Sequence, residues 1–253
     1  MVKKIITCTI LVIINVYLIF PLDLKASIAQ LPGLADSPEK GAFIDLVKAI
    51  AAAYKDGKIT IGVYPFARSV NNVIDGFADF HIPNVRNPMV DQTKLPYRNV
   101  AEPMGLVCFV IYSNKNKPYT KDMLEATITS NKKTTYSIEV PGGIENQFPF
   151  MCKPSNDIDQ SLKKISSGRI DALIRAQKEV DERLKTMKLK NIKREFWMNF
   201  EDVIIIAKGK EGNRIDKILS EVLISMKKDG SLAKLHTKVH HTYDNWQPYD
   251  MGW

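Results

Sequence analysis

Helical and strand-like patterns alternate along almost the whole 253-residue chain, and this alternation constrains the fold more than any other feature. In the first clear example, apolar residues recur at helical spacing from Phe43 to Ala51, and a strand-like alternation follows over Ile59–Val63. Repeated alternation of this kind is typical of α/β folds with mainly parallel sheets. We predict strands at 59–63, 80–82, 104–112, 136–140, 170–174, 192–196 and 203–207, helices at 43–51, 66–75, 157–167, 177–188 and 214–228, and a short helix from Ser231.

One local pattern occurs twice. An amphipathic helix ends at Gly76, Asp79 follows three residues later and a strand begins, and the same order recurs with Gly168 and Asp171. Glycine adopts the left-handed conformation that ends a helix, and the next residues turn the chain into a sheet. Such junctions are common in α/β proteins, but the repetition favours two lobes of similar architecture.

The N-terminal segment has the layout of a secretory signal peptide. Two lysines precede the uncharged, largely apolar run Ile5–Phe20, and small residues follow, so that a cut after Ala26 or Ala29 fits the pattern. We predict that residues 1–26 are removed; the alternative is an uncleaved membrane anchor. No later segment is long and apolar enough to span a membrane, and we therefore expect an exported mature chain.

Charge and cysteine content exclude two further classes. The formal net charge is +8, but the basic residues are scattered among acidic ones, and aromatic residues do not interleave with the few lysine pairs. We therefore expect solvated helix faces and no nucleic-acid partner. Three cysteines are too few for a disulfide framework. Cys108 is predicted in a buried strand and Cys152 in a loop, and the sequence does not decide whether they pair.

Several segments carry a resemblance to a known family. Residues 40–50, KGAFIDLVKAI, are similar to the family's opening motif, and GFAD at 76–79 and GRIDA at 168–172 resemble its glycine–aspartate junctions. Residues 226–235, MKKDGSLAKL, closely resemble its C-terminal motif. In their order and spacing these segments resemble the extracellular solute-binding proteins of family 3, which serve polar amino-acid ABC transporters. The resemblance covers nearly all of the mature chain.

The resemblance implies a two-lobed α/β fold of the periplasmic-binding-protein-like type II class, with two hinge strands and a ligand cleft between the lobes. Lobe one would comprise residues 27–112 and 205–253, and lobe two residues 113–204. The resemblance also implies a monomeric periplasmic protein that captures a small polar solute (amino-acid-like, a carboxylate or related) by hinge closure. The solute would pass to the membrane permease of an ABC transporter. Such a protein is not an enzyme and needs no cofactor.

Candidate ligand-binding residues follow the predicted strands, because ligands of doubly wound sheets bind beyond the carboxyl ends of the strands. Phe66 resembles the family's aromatic platform, Arg86 has the chemistry to pair with a ligand carboxylate, and the glycine turn after 136–140 offers backbone N–H groups. A core residue, a surface arginine and a plain turn are the respective alternatives. The candidates are Tyr64, Phe66, Arg68, Pro83, Asn84, Arg86, Gly142, Gly143, Ile144, Glu145 and Arg175.

Two departures from the family pattern bear on the solute. The stretch from Asp79 to Arg86 is shorter than the corresponding stretch of the family. The family's amino-acid binders place an acid five residues after the second junction aspartate, where it pairs with the ligand ammonium, and here Ala176 occupies that position. Because an unpaired buried ammonium is costly, the sequence favours an acidic or neutral polar solute. Arg175 fits such a solute; a solvent-facing arginine is the alternative.

Other functions fit the same scaffold. One is a ligand-sensing module that acts with a separate membrane receptor. A less favoured one is an exported dehydratase-like enzyme, for which Glu145 and Arg175 are the candidate groups. His236 and His240 have a spacing that can bind zinc, but no glutamate lies between them, and we interpret them as chance surface histidines. We therefore predict no metal site.

Overall fold

Strands and helices alternate through the computed structural model, which describes residues 21–130 and 135–253. Within that range no helix combines the length and the apolar character needed to cross a membrane. The strands are β1 (Leu24–Ala29), β2 (Ile59–Tyr64), β3 (Phe80–Arg86), β4 (Arg98–Asn99), β5 (Gly105–Asn114), β6 (Ile138–Pro141), β7 (Lys153–Ser155), β8 (Ala172–Ala176) and β9 (Ile192–Ile206). The helices are α1 (Ala42–Ala53), α2 (Phe66–Ile74), α3 (Lys121–Ser130), α4 (Ile158–Ser166), α5 (Gln177–Met187), α6 (Lys210–Lys228) and α7 (Ser231–Val239).

The strands of the described chain lie on one hydrogen-bonded path, in the order β2-β1-β3-β9-β5-β8-β6-β7, with the short β4 paired to β9. Pairing is parallel within β2-β1-β3 and within β8-β6-β7, as strand–helix alternation requires. The long strands β5 and β9 are antiparallel to each other and to their outer neighbours. The segments predicted as strands at 192–196 and 203–207 both lie in the single strand β9, so only the predicted break between them was wrong.

Separate cores divide this path into two lobes. Lobe one packs β1, β2, β3 and the end of β9 against α1, α6 and α7. Lobe two has cores on both faces of β5 and β8, one rich in aromatic residues and one backed by α4 and α5. β5 and β9 pair from Gly105–Asp202 to Asn114–Ile192 and run through both lobes. They are the two predicted hinge strands, and they join the sheets of the two lobes edge to edge.

The lobe boundaries differ from the predicted ones in two places. Residues 107–112 of β5 pack in the cores of lobe two, so lobe one gives way to lobe two near Gly105 rather than at 112. The C-terminal tail, residues 241–253, was predicted in lobe one, but Tyr243 and Trp246 pack against lobe two. The reason is Arg194 of β9, a fully buried side chain that donates to the Asp244 carbonyl at 3.1 Å and lies 4.2 Å from the Trp246 ring centre. The tail supplies partners that this buried guanidinium needs.

Lobe one begins earlier in the chain than predicted, and the position of a cut stays a prediction. The apolar run Ile5–Phe20 lies outside the described residues, but β1 lies in the middle of the sheet of lobe one, between β2 and β3. A cut after Ala26 would remove half of this largely buried strand. Leu22 is already held by the fold, because its backbone N–H donates to the Asp56 carbonyl at 2.8 Å and its carbonyl accepts from the Tyr54 hydroxyl at 2.6 Å. Residues from Leu22 onwards therefore belong to lobe one.

Both described cysteines are free thiols. Cys108 is buried in β5, as predicted, and Cys152 is half-buried in the segment before β7. Burial raises the pKa of each thiol to about 12, so both are protonated at neutral pH. Because the thiolate is the reactive form of cysteine, neither side chain is an activated nucleophile.

Candidate functional site

A polar cleft separates the two lobes and contains two cavities. The outer cavity has a volume of about 810 Å³, and the inner cavity, of about 30 Å³, reaches the hinge strands. Lobe one lines the outer cavity with Gln30, Pro32, Pro65, Phe66, Ala67 and Arg68, and lobe two lines it with Gly142, Ser155, Asn156, Asp157, Ile158, Asp159, Arg175 and Arg183. The outer cavity is thus large enough for a small solute and is walled by both lobes.

The cleft lies at the carboxyl ends of the parallel strands. Lobe one contributes the residues that follow β1 and β2, and lobe two contributes those that follow β6, β7 and β8. The chain leaves the sheet at these points, and the first turns of α2, α4 and α5 begin there with backbone N–H groups that have no partner within the helix. Both lobes therefore present polar groups to the same space.

The lobes touch beside the cleft. Gly143 of lobe two lies so close to Ala67 of lobe one that a Cβ atom on Gly143 would come within 2.8 Å of the Ala67 Cα. At another contact, Asn87 Nδ2 donates to the Gln147 carbonyl at 2.8 Å, and Gln147 Nε2 donates to the Tyr97 hydroxyl at 3.1 Å. These hydrogen bonds between lobes indicate a closed arrangement.

Helix α2 forms the side of the cleft that belongs to lobe one. Pro65 precedes the helix, and the Phe66 ring packs edge-on against the His81 imidazole with 5.3 Å between ring centres. Arg68, in the first turn, is exposed, and its guanidinium lies 5.6 Å from the centre of the Tyr64 ring. No carboxylate of the described chain forms an ion pair with Arg68. Arg68 therefore offers the cleft a positive charge that the described residues leave unmatched.

A row of uncharged, hydrogen-bonded side chains lies behind helix α2, on the side of the cleft that belongs to lobe one. His81 is fully buried; its Nε2–H donates to the Pro83 carbonyl at 2.9 Å, which leaves Nδ1 to accept from the Ser69 hydroxyl at 2.6 Å. The Ser69 oxygen lies 2.9 Å from the Ser27 hydroxyl of β1. Burial lowers the pKa of His81 to about 3, because a buried imidazolium would lose its hydration. The hydrogen-bonded side chains Ser27, Ser69 and His81 therefore carry no charge at physiological pH.

Most of the charges that lobe two presents are already paired. The Arg175 Nε lies 2.6 Å from Glu179 Oε2, and both side chains are less than a tenth exposed. A second Arg175 nitrogen donates to the Ser155 carbonyl at 3.3 Å and so connects β8 to β7. Arg183 donates two hydrogen bonds to Asp159, and these hydrogen bonds lower the pKa of the Asp159 carboxyl. Lobe two thus lines the cleft with two ion pairs and with the exposed Asp157 carboxylate, which forms no ion pair within the described chain.

Most of the predicted ligand-binding residues lie at the cleft. Phe66, Arg68, Gly142 and Arg175 line the outer cavity, and Phe66, Pro83, Asn84, Ile144 and Arg175 line the inner one. Their role in binding stays a prediction.

The remaining predicted residues have other surroundings. Tyr64 lines a separate cavity of about 720 Å³ at the β2 edge of lobe one, which Arg68 also borders. Gly143 forms the contact with Ala67 already described. Glu145 is held within its own loop, where Oε2 accepts from the Gly143 N–H at 2.9 Å. Neither Tyr64 nor Glu145 lines the two cleft cavities.

Arg86 is bound to residues of its own lobe and sheet rather than left free at the cleft. It ends β3, and its NH1 group donates to Glu201 Oε2 at 2.8 Å while its NH2 group donates to the Val100 carbonyl at 2.5 Å. Glu201 is the residue of β9 that faces Arg86 in the antiparallel pairing. The neighbouring strand thus already supplies a carboxylate for Arg86, and a role of Arg86 in ligand binding stays a prediction.

Sequence reasoning missed the part of the cleft formed by residues 155–159. These residues follow β7, a three-residue strand that contains Pro154 and shows no apolar alternation, so no strand was predicted there. The sequence places Ser155, Asn156 and Asp157 at the start of the predicted helix 157–167 as possible caps, and the Asp157 carboxylate accepts from the Gln160 N–H at 3.0 Å. A capped helix start within an α/β pattern was therefore the available signal.

A buried group of titratable side chains borders the inner cavity. It consists of Asp202 of β9, His236 of α7 and His240, which follows α7, and both histidines are buried rather than on the surface as predicted. His236 Nε2 hydrogen-bonds to Asp202 Oδ2 at 3.1 Å. Burial acts to raise the pKa of Asp202, but the hydrogen bond from His236 and the adjacent His240 imidazole outweigh it, and the pKa is lowered. The apolar stripe Leu232, His236, Val239 on α7 was the sequence signal for this burial.

Solved structures share this architecture, although no protein-family model and no curated protein sequence matches the chain. One is a histidine kinase sensor domain with similarity to periplasmic binding proteins (TM-score 0.66, 13% identity, covering 85% of this chain and 95% of that one). Another is the GluR0 ligand-binding core from Nostoc punctiforme in complex with L-glutamate (TM-score 0.62, 14% identity, covering 85% of this chain and 98% of that one). A third is the substrate-binding protein of an amino acid ABC transporter (TM-score 0.59, 18% identity, covering 85% of this chain and 98% of that one). The likeness confirms the predicted two-lobed, periplasmic-binding-protein-like type II fold.

Proposed function

We propose that this chain is an exported receptor that binds a small polar solute between its lobes and delivers it to the permease of an ABC transporter. The observation that carries the proposal is the outer cavity, which is walled by both lobes at the carboxyl ends of their parallel strands. A solute in this position touches both lobes and stabilises the closed arrangement. The similarity to a transporter's substrate-binding protein supports the same function.

The charges of the cleft favour a solute that carries an anionic group. Arg68 is exposed to the cavity without an ion-pair partner in the described chain, whereas Arg175 is neutralised by Glu179. The position that would hold an ammonium-binding acid is Ala176, and Glu179, three residues further along the chain, is already paired with Arg175. We therefore propose a carboxylate or related polar solute, with Arg68 as its charge partner.

The same pairing argues for a binding protein rather than an enzyme. General acid–base catalysis by a carboxyl group works best when the pKa of that group lies near the working pH. The Asp159 pKa is lowered by its hydrogen bonds with Arg183, Glu179 is held by Arg175, and Asp157 caps α4. We propose that these groups fix the shape of the cleft and do not transfer protons.

Export is part of the proposal. The two lysines and the apolar run Ile5–Phe20 fit a signal peptide. Because Leu22 is bound to Tyr54 and Asp56, the cut that leaves lobe one intact comes before Leu22. We propose a periplasmic monomer; N-terminal sequencing and size measurement of the secreted protein test both points.

Titration calorimetry on a matched pair of variants tests the solute site. A thermal-shift screen of L-glutamate, L-arginine, neutral amino acids, dicarboxylates, polyamines and sugars identifies the solute, because a ligand that binds only the folded state raises the melting temperature. We expect Arg68→Ala to bind it about 10–100-fold more weakly, a loss of about 1.4–2.8 kcal/mol. Arg214→Ala removes an exposed arginine of α6 and serves as the control with unchanged affinity. Equal affinities of the two variants would remove Arg68 from the site.

A sensing role is the second candidate, and the similarity to a histidine kinase sensor domain favours it. Solute capture and hinge closure are the same in both roles, and only the partner that recognises the closed form differs. Neighbouring genes for a permease and an ATPase support uptake, whereas a neighbouring gene for a membrane-bound kinase supports sensing.

A further inference from the structure

The buried group Asp202, His236 and His240 lies at the hinge. Asp202 is paired with Gly105 where the two hinge strands pass from lobe two into lobe one. His236 belongs to the last turn of α7, and His240 follows that helix, immediately before the tail that crosses to lobe two. Only 1% of Asp202, 8% of His236 and 6% of His240 is exposed. The group therefore connects the hinge strand β9 with the segment from which the tail departs.

Hydrogen bonding within the described chain satisfies this group only in part. Asp202 Oδ2 receives the hydrogen bond from His236, but Asp202 Oδ1 and His240 Nε2 have no hydrogen-bond partner among the described residues. Buried polar atoms in native proteins are nearly always bonded, so two unpartnered atoms in one cluster call for an explanation. A cation can bind the carboxylate and the lone pairs of both imidazoles at the same time. The hydrogen bonds among these three side chains do not give every one of these atoms a partner.

The distances suit tetrahedral zinc. With metal–ligand bonds of about 2.0–2.1 Å, tetrahedral geometry separates neighbouring ligand atoms by about 3.3 Å. His236 Nε2 lies 3.1 Å and His240 Nε2 lies 3.4 Å from the same Asp202 oxygen, and the ligand atoms of all three residues lie within 4.8 Å of one another. Imidazole and carboxylate are donors that zinc prefers in proteins.

The surroundings also fit a metal site. A Cβ atom on Gly105 would lie 2.6 Å from Cε1 and 2.7 Å from Nδ1 of His236, so glycine at this position lets the imidazole approach β5. Asp202 and His240 line the inner cavity of about 30 Å³, which has room for a water molecule. A water molecule there would supply the fourth ligand.

We propose that Asp202, His236 and His240 bind a divalent transition-metal ion of the zinc class at the base of the cleft. The ion joins β9 to the C-terminal end of α7 and so fastens the start of the tail to the hinge. Asp202 and His240 line the inner cavity, whereas Arg68 lines the outer one, and the test of the metal site needs no solute.

The test uses the full chain after chelator treatment. We expect isothermal titration with Zn²⁺ to show one tightly bound ion per chain and a rise in melting temperature at excess metal. Asp202→Asn and His240→Gln should each bind Zn²⁺ at least tenfold more weakly. His241→Gln changes the adjacent, exposed histidine and should bind as tightly as the unsubstituted chain. Undiminished zinc affinity in a folded His240→Gln protein would overturn the proposal.

A spectroscopic measurement on the unsubstituted chain keeps the proposal testable if the buried substitutions prevent folding. Co²⁺ replaces zinc in such sites and absorbs visible light strongly when its coordination is tetrahedral. We expect strong absorption that saturates at one Co²⁺ per chain and disappears when Zn²⁺ is added. Weak absorption typical of the hydrated ion, unchanged by Zn²⁺, would contradict the assignment.

Discussion

The two walls of the cleft are supported by buried polar groups of opposite kinds. Behind the wall of lobe one lies the neutral chain Ser27–Ser69–His81, whereas lobe two holds its cleft face with the ion pair Arg175–Glu179. The one cleft carboxylate of lobe two outside its ion pairs, Asp157, is the cap of α4, whereas lobe one offers the unpaired Arg68. The difference indicates that lobe one determines which charge a solute carries, while lobe two supplies shape and hydrogen bonds.

The largest expected effect comes from breaking the buried pair of lobe two. Glu179→Leu should lower the free energy of unfolding by about 3–5 kcal/mol, because it leaves the Arg175 charge buried without a partner. Urea denaturation measures the loss. The double variant Arg175→Met/Glu179→Leu should recover most of it, since no charge then remains buried.

Glu182→Leu is the matched control for that substitution. Glu182 lies on the same helix and pairs with Lys178, but its side chain is 47% exposed. An exposed pair contributes about 0–1 kcal/mol, so the control should lose no more than that. If Glu179→Leu is as mild as Glu182→Leu, the contrast between the two walls is not supported.

Lobe one should respond to pH through His81. The pKa of His81 is about 3 in the folded protein and near 6.5 when unfolded, so the unfolded chain binds a proton between these values and the folded chain does not. The contribution of His81 to stability is complete above pH 6.5 and is lost as the pH falls towards 3, by up to about 1.4 kcal/mol per pH unit. Urea denaturation across pH 4–7 measures this slope.

His81→Gln keeps a hydrogen-bonding side chain but cannot be protonated, so its stability should depend less on pH over the same interval. His241→Gln, which changes an exposed histidine, should retain the slope of the unsubstituted chain. Identical slopes for all three proteins would contradict a neutral buried His81.

A smaller effect is expected where the walls touch. Gly143 has φ of 99° and meets Ala67, whereas Gly168 has φ of 72° and no atom within 4 Å of an added Cβ. Alanine at either position should destabilise the fold by about 1–2 kcal/mol through backbone strain. Only Gly143→Ala should also weaken solute binding, by about tenfold, because its methyl group keeps the lobes apart. Calorimetry that finds equal affinities for both variants would argue against closure at this contact.

The smallest effect is expected at Arg86. Its ion pair with Glu201 is partly exposed, so Arg86→Ala should lower the free energy of unfolding by roughly 1 kcal/mol and leave solute affinity unchanged within about twofold. A loss of affinity comparable to that of Arg68→Ala would return Arg86 to the binding site.

Local patterns were enough to predict the architecture. The junctions at Gly76 and Gly168 and the helix starting at Phe66 depend on nearby residues, and the structure has them where the sequence predicts them. Pairing between distant segments was not predictable in the same way. Arg86 faces Glu201 only because β3 and β9 are neighbours in the sheet. The ion pair of Arg175 with Glu179, in contrast, has i, i+4 spacing, so it was predictable from the sequence around the start of α5.

Two other misses have the same origin. β1 is rich in small and apolar residues and follows an apolar run, which made its sequence resemble a cleavage region rather than a central strand. The tail 241–253 contains aromatic residues without periodicity, and its position on lobe two depends on the buried Arg194. In both cases a long-range partner decides the structure, and a local pattern carries no information about it.

Hydrogen–deuterium exchange with and without the solute tests most directly whether both lobes hold it. We expect slower amide exchange at residues 66–68 of lobe one and at residues 155–159 of lobe two together, because a solute in the outer cavity covers both. The cavity at the β2 edge, bordered by residues 71–78, has a similar volume and should show no change. Protection confined to that edge, or to a single lobe, would contradict binding of the solute between the lobes.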